Sequence, residues 1–534
     1  MSSRRSESAD RRREAIYIDG EWVASTGPLR DVVSPASLEV IGCAPDGTAA
    51  DMDRAVAAAR RAFDEGSWSG LPVTERLRYL ERASELYAAR AGELAELITA
   101  EMGSPITFSR QAQGPIAQHI LTYFIRLGKR FEFEQARTGL SLPALVVHDP
   151  SGVVAAIAPW NYPQALLLMK IAPALVAGCT VVAKPSPETA IDGLVLAEIF
   201  DEAGLPPGVL NVVSADREAG EHLISHPGVD RVAFTGSTQA GRRIAEICGR
   251  DLRRCTLELG GKSAALILDD ADVALTMAGL RDYAFRNSGQ TCTNQTRILV
   301  PRSRREEFTD ALCAMVSSMA VGDPADPATE IGPLVSERQR DRVEGYVDIG
   351  RKEGARVAVG GGRPVGLDVG WYVEPTVFVD VDNSMRIARE EIFGPVVGVI
   401  PYDDDAEGIA IANDSDYGLA ASVWGGDPER AAGVAKRLKA GMLLVNGQGA
   451  ASTRPSAASG RAGSDVNAAS KDSSPTPSRS NCRSCDRPRE NVREVTRCRA
   501  ISKLPCPTPT SSRSGPITSC PSCPSRSPGT SGAR

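Results

Sequence analysis

Between residues 152 and 259 the chain alternates short apolar runs with stretches of helical spacing, and no other feature restricts its fold as strongly. The runs are "GVVAAIA" (152–158), "TVVAK" (180–184), "VLNVV" (209–213), "RVAFT" (231–235) and "CTLEL" (255–259). Helical patterns fill the gaps, among them 163–177, which stops at Gly178, and 237–248, which stops at Gly249. Strand and helix in repeated alternation predict a parallel sheet covered on both faces. Such sheets bind ligands at the carboxyl ends of their strands.

A second mixed stretch, 260–446, carries the strand patterns "SAALIL", "TRILVP" and "MLLVN" and predicts a separate α/β lobe. Upstream, "YIDGEWV" (17–23) alternates about Asp19-Gly20, a hairpin signal. Thr48 and Asp51 form a capping-box pattern ahead of a helix whose Met52, Val56, Ala59 and Phe63 recur at helical spacing.

A chain of 534 residues is too long for one hydrophobic core. With a formal net charge of -6 it lacks the basic footprint of a nucleic-acid binder. The most apolar stretch, 165–183, is broken by Lys170, Pro173 and Gly178, so it reads as a helix followed by a strand and not as a membrane span. The basic N-terminus is followed by no apolar run, so it is no secretory signal, and the expected compartment is the cytoplasm. Six cysteines, Cys43, Cys179, Cys248, Cys255, Cys292 and Cys313, are scattered through the patterned region, as reduced thiols usually are.

Cys292, in "RNSGQTCTNQ" (286–295), is either a nucleophile or a small apolar filler. The four histidines, His119, His148, His222 and His226, stand in no motif, which disfavours a Cys-His hydrolase. Glu258, in "LELGGKS", ends the fifth strand pattern before Gly260-Gly261, where a ligand can approach. Asn161, in "PWNYP" (159–163), is a helix cap or an amide donor to a developing oxyanion. "FTGSTQAG" (234–241) runs from strand to helix through Gly236-Ser237 and has the look of a phosphate turn, although it lacks G-x-G-x-x-G. Lys184, in "AKPSPE", sits at another strand end, where a solvated lysine is the ordinary reading.

Taken in order, "PWNYP", "GCTVVAKPS", "GLPPGVLNVV", "FTGSTxxG", "LELGGKS", "NSGQTC" and "EEIFGPV" resemble the aldehyde dehydrogenase superfamily over residues 17–446. The resemblance implies a Rossmann-like parallel-sheet cofactor domain (14–127 and 149–258), a second α/β catalytic domain (259–449) and a small oligomerisation arm (128–148). It implies oxidation of a small-molecule aldehyde to the acid with NAD or NADP. Cys292 would form a thiohemiacetal and then a thioester, steadied by Asn161 and the Cys292 N–H. Glu258 would activate the hydrolytic water, since relatives that pass the acyl group to coenzyme A generally lack this glutamate. Trp160, Lys184, Ser186, Gly236, Ser237, Glu391 and Phe393 match cofactor-binding positions, and no metal is expected. NAD-preferring members often carry a glutamate three residues after the lysine; here that place is Pro187, with Glu188 next, which leaves NAD and NADP both open. Tyr162, Leu166, Met169, Thr291 and Thr293 suggest a pocket for an uncharged aldehyde of moderate bulk.

The resemblance is expected to end near "GMLLVNG" (441–447). Residues 450–534 are rich in Ser, Pro and Arg, contain no Phe, Trp or Tyr, and carry too little apolar surface to order themselves. A frameshift near codon 449 is the favoured explanation; zinc binding by Cys482, Cys485, Cys520 and Cys523 is the rival. Loss of the usual C-terminus would put the family's homo-oligomer in doubt and leave a catalytically impaired or inactive relative as the alternative function. A cysteine hydrolase using Cys292 and Glu258 without nucleotide is a third reading.

Overall fold

The structure, a computed structural model, describes residues 11–66, 68–138 and 142–450. The expectations for the tail beyond 450, its disorder, frameshift and cysteine pairs, lie outside the described residues.

Strands Ala15–Ile18 (β1) and Glu21–Ala24 (β2) pair as a hairpin in the register Tyr17↔Trp22. Its turn residues Asp19 and Gly20 have φ of 59° and 77°, the two positive values that a tight two-residue hairpin turn demands. A two-stranded ribbon, Leu29–Val33 (β3) with Val40–Pro45 (β4), follows. The helix Ala49–Asp64 opens as its sequence predicts: the Asp51 carboxylate accepts the Thr48 N–H at 3.0 Å, and Met52, Val56 and Ala59 are buried.

The helix Gly114–Arg130 takes in residues 128–130, at the start of the segment expected as an arm. Residues 132–148 form a small unit of their own, in which Glu134–Thr138 (β5) pairs antiparallel with Pro143–Val147 (β6). Leu142, at its tip, is largely exposed.

The other described residues form one compact unit that holds both large sheets. The parallel strands Val153–Ile157 (β7), Thr180–Lys184 (β8), Leu210–Val212 (β9), Arg231–Thr235 (β10) and Arg254–Glu258 (β11) join β1 and β2 in the order β11-β10-β7-β8-β9-β1-β2. The chain moves outward from β7 through β8 to β9, then returns to the other side of β7 with β10. The strand order therefore reverses at β7, and the crevice beyond the carboxyl ends of β7 and β10 is the switch point where doubly wound sheets take ligands. Helix Pro163–Ala177 ends at Gly178 in the left-handed conformation, as expected. Helix Thr238–Arg250 does not stop at Gly249: it runs to Arg250, and the left-handed residue is the exposed Leu252, with φ of 52°.

The second sheet contains Ser263–Ile267 (β12), Gln295–Pro301 (β13), Arg356–Val359 (β14), Thr376–Val379 (β15), Val396–Tyr402 (β16), Ala420–Trp424 (β17), Met442–Val445 (β18) and Gln448–Ala450 (β19). Their order is β14-β15-β16-β13-β12-β17-β18-β19. Its two faces bury separate clusters, Leu266 and Leu299 in one, Ile267 and Ile298 in the other. Among the described residues no helix is long and apolar enough to cross a membrane.

Candidate active site

The carboxyl end of β7 leads through Pro159-Trp160-Asn161-Tyr162 into helix Pro163–Ala177, so residues 160–162 stand at the switch point. Asn161 is buried, and Tyr162, not Asn161, is the residue that precedes the first turn. The amide of Asn161 is therefore not used as a cap. Its Nδ2 donates to the carbonyl of Gln290 at 3.0 Å, and Asn287 Nδ2 donates to the Asn161 carbonyl at 3.0 Å. These bonds tie the β7 loop to the segment that carries Cys292.

That segment is bent in an unusual way. Asn287, Ser288 and Gly289 have φ of 56°, 55° and 77°, a left-handed run in which the first two residues carry a Cβ penalty. The surroundings hold it there. Ser288 Oγ accepts the Gly332 N–H at 2.9 Å, and Gln290 Oε1 accepts the Val335 N–H at 3.0 Å. On the facing strand end Gly260 and Gly261 are required by space: a Cβ on Gly260 would lie 2.3 Å from Glu391 Oε2, and one on Gly261 would lie 2.3 Å from the Cys292 carbonyl oxygen.

Cys292 is partly accessible at the base of this crevice. Its thiol pKa is pushed up to about 12, first by burial and then by the negative charges of Glu391 and Glu258; the N–H groups of Cys292 and Thr293 work against this by favouring the thiolate. Glu258, the last residue of β11, is pushed up to about 7 by burial, and the charge of Lys170 holds it down from rising further. Lys170 reaches this place from helix Pro163–Ala177. Its Nζ donates to Thr235 Oγ1 at 2.5 Å, and Thr235 is the register partner of Glu258 across β10 and β11. Burial lowers the Lys170 ammonium to about 8. From sequence Lys170 is only an interruption in an apolar run; a lysine on the buried side of a helix beside the active-site loop is the signal that could have marked it.

The expected cofactor residues fall into two groups. Trp160, Lys184, Ser186 and Gly236 line one cavity of about 240 Å³ with Glu188, Phe234 and Ile244. Lys184 is not solvated. It is buried, its pKa is lowered to about 8 by that burial, and its Nζ donates to the carbonyls of Ala215 at 2.5 Å and Pro185 at 3.2 Å. Ser237 caps helix Thr238–Arg250, its Oγ accepting the Ala240 N–H at 3.2 Å. In the first turn Thr238 Oγ1 is buried with no hydrogen-bond partner among the described residues. A helix start with a free hydroxyl, opening beside an apolar cavity that holds a lysine and a carboxylate, is a donor set that fits a dinucleotide. In the second group Glu391 Oε1 accepts the Gly261 N–H at 2.9 Å, and burial raises its carboxyl. The Phe393 ring meets the Trp160 ring edge-on at 5.3 Å, which links the second group to the cavity.

On the other side of Cys292, Tyr162 Oη and Thr291 Oγ1 hydrogen-bond at 2.9 Å, and Phe108 packs edge-on against Tyr162 at 6.2 Å. Leu166 and Met169 are partly exposed positions of an otherwise well-buried helix. The sequence reading missed Arg286, whose guanidinium lies 6.0 Å from the Phe108 ring centroid and is paired with Asp282. The pair neutralises the charge that the arginine brings.

A doubly wound nucleotide-type sheet, facing a second α/β layer across a crevice that holds a cysteine and two raised carboxylates, defines an oxidoreductase. The sequence pattern of the aldehyde dehydrogenase family matches residues 22–474, past the point where the resemblance was expected to end. The chain belongs to that family. It is 48% identical over 436 residues to a geranial dehydrogenase of Castellaniella defragrans, covering 81% of this chain and 90% of that protein. It is 42% identical over 446 residues to a 3-succinoylsemialdehyde-pyridine dehydrogenase of a Pseudomonas species, covering 82% and 92%. A Mycobacterium tuberculosis aldehyde dehydrogenase complexed with NAD+ superposes with a TM-score of 0.83 at 44% identity, covering 85% of this chain and 94% of that one. A mutant aldehyde dehydrogenase of Pseudomonas syringae in complex with NAD+ and octanal gives 0.80 at 42% identity, covering 84% and 92%.

Proposed function

We propose that this aldehyde dehydrogenase oxidises an uncharged aldehyde of moderate bulk to its acid, with Cys292 as nucleophile, Glu258 as general base and NAD as the preferred coenzyme. One observation carries the reading: the charges of Glu258 and Glu391 both act on the Cys292 thiol. A thiol raised to about 12 must lose its proton before it attacks; the proton passes to solvent, and the N–H groups of Cys292 and Thr293 favour the thiolate that remains. Sγ then adds to the carbonyl carbon, and the new oxyanion meets the Asn161 amide and the Cys292 N–H. Bound nicotinamide supplies the one ability that no side chain here has, acceptance of a hydride. Departure of the hydride leaves a thioester on Cys292. Glu258 takes a proton from a water that attacks this thioester; the C–S bond breaks, the Cys292 thiolate is released and the acid leaves.

Trp160, Lys184, Ser186, Gly236 and Ser237 would hold the adenosine and pyrophosphate, and Glu391 and Phe393 the nicotinamide ribose and ring. Residues 14–127 and 149–258 form the coenzyme domain and 259–449 the catalytic domain in this reading. The 128–148 segment is an arm of a homo-oligomer, and the enzyme works in the cytoplasm. The geranial and octanal of the relatives fit the uncharged lining of Tyr162, Leu166, Met169, Thr291 and Thr293. The test is reduced-nicotinamide absorbance across an aldehyde panel with both coenzymes, for the protein and for Cys292→Ser. Coenzyme reduction that depends on an aldehyde and on the thiol is expected. No coenzyme reduction with any aldehyde of the panel, or turnover unchanged in the serine variant, would refute the reading.

A further inference from the structure

Two thiols outside the catalytic crevice stand against each other. Cys248 lies in the last turn of helix Thr238–Arg250 and is buried; Cys255 is the second residue of β11 and is partly exposed. Both pack in the same apolar cluster with Ile244, Ile247 and Leu257, and the Cys255 side chain, with burial, pushes the Cys248 thiol up. The connection between them is short and tightly folded, with the Arg253 N–H donating to the Cys248 carbonyl at 2.8 Å. β11 is the edge strand of its sheet, so a small oxidant can reach Cys255 from outside while Cys248 waits behind it.

We propose that Cys248 and Cys255 are a peroxide-sensitive dithiol that closes to a disulfide and, in closing, weakens coenzyme binding. The exposed member reacts first: the Cys255 thiolate attacks a peroxide oxygen, the O–O bond breaks, and Cys255 becomes a sulfenic acid as water or an alcohol leaves. The Cys248 sulfur then attacks the Cys255 sulfur, its proton leaves with the hydroxyl as water, and the S–S bond forms. Two electrons pass from the thiol pair to the peroxide, and a dithiol reductant reverses the change. The coupling follows from position. Ile244 and Ile247, on the same helix as Cys248, line the cavity assigned to adenosine, so a covalent tie that draws the end of this helix toward β11 alters the wall of that cavity. The coupling rests on the coenzyme assignment made above; the disulfide itself does not.

The experiment exposes the full chain to one equivalent of hydrogen peroxide, blocks remaining thiols with iodoacetamide and maps the peptides by mass. The expected product is a 248–255 cross-linked peptide lighter by two hydrogens, reversed by dithiothreitol and absent from Cys255→Ser. Cys255 carried on to sulfinic acid with Cys248 alkylated, or both thiols recovered unmodified, would overturn the site. NAD binding, followed by quenching of tryptophan fluorescence, is then compared before and after oxidation. About fivefold weaker binding is expected, at the low end of couplings between linked sites, with no change in Cys255→Ser. A cross-link that leaves affinity unaltered would overturn the coupling. If reduced protein fails to bind NAD at all, the coenzyme assignment falls and the disulfide stands.

Discussion

Asn161 is held to Gln290 by a 3.0 Å hydrogen bond from Nδ2 to the backbone carbonyl, two residues before Cys292. The same amide thus locates the Cys292 segment and, in the proposed mechanism, offers its other hydrogen to the oxyanion. Asn161→Ala removes both. Loss of one oxyanion donor typically costs about 10²–10³ in kcat, and a fall of that size with a much smaller change in KM is expected from initial rates. A change confined to KM would assign Asn161 to binding alone.

In the proposed mechanism Glu258 sets the pH profile. With its carboxyl near 7, the base form is lost as pH drops below 7, so kcat for the hydrolytic step should fall on the acid side with that midpoint. Glu258→Gln should leave hydride transfer faster than hydrolysis. Rapid mixing would then show a burst of reduced coenzyme close to one per site, followed by a slow steady rate. A variant without a burst, slowed equally in every phase, would remove Glu258 from deacylation.

Lys170 makes a sharper prediction, because it acts on Glu258 through charge. Its ammonium favours the carboxylate, so Lys170→Met should raise the Glu258 pKa and move the acid limb to higher pH, by roughly one unit for a near partner charge. The sign is fixed: removal of a cation cannot move the limb down. An unshifted limb with lowered thermal stability would reduce Lys170 to a packing role.

Gly261→Ala tests the close approach. Its Cβ would lie 2.3 Å from the Cys292 carbonyl oxygen, a backbone atom that cannot rotate away. The Cys292 segment must move, and a misplacement of this kind can cost about 100-fold in rate. Alkylation of Cys292 by iodoacetamide, followed by mass, should slow as well. Full activity in the alanine variant would show that the segment yields without consequence.

Much of this site is legible in the chain, and the gaps have physical causes. β8 and β10 coincide with "TVVAK" and "RVAFT", because buried parallel strands are written as unbroken apolar runs. The β1–β2 turn is read from Asp19-Gly20, where positive φ is required twice. Gly249 misleads, since a glycine permits a left-handed stop without compelling one, and the chain makes the turn three residues later at Leu252. The left-handed Asn287 and Ser288 leave no local trace. Their conformation is imposed from Asn161, Gly332 and Val335, all far away in sequence. Lys170 and Arg286 are silent for the same reason: what each does depends on Thr235 and Phe108, which only the folded chain brings near.

In the proposed reading coenzyme choice turns on Glu188. The carboxylate lines the cavity with Lys184, and Ser186 Oγ donates to its Oε2 at 2.5 Å; Arg338 approaches only to 3.7 Å and is highly exposed, so it does little to cancel the charge. The cavity thus holds a carboxylate one position later in sequence than the glutamate that NAD-preferring members often carry, where this chain has Pro187. A carboxylate there accepts a ribose hydroxyl and repels a 2′-phosphate, and like-charge contacts of this kind are costly. The enzyme should favour NAD, and Glu188→Gln should raise kcat/KM for NADP relative to NAD by roughly tenfold, equivalent to about 1.4 kcal/mol. The measurement is the ratio of kcat/KM for the two coenzymes with one aldehyde, at low and at high salt. Preference for NADP in the unaltered protein, or a ratio that the glutamine variant leaves in place, would mean that Arg217 or Arg243, which also line the cavity, dominate the phosphate end instead.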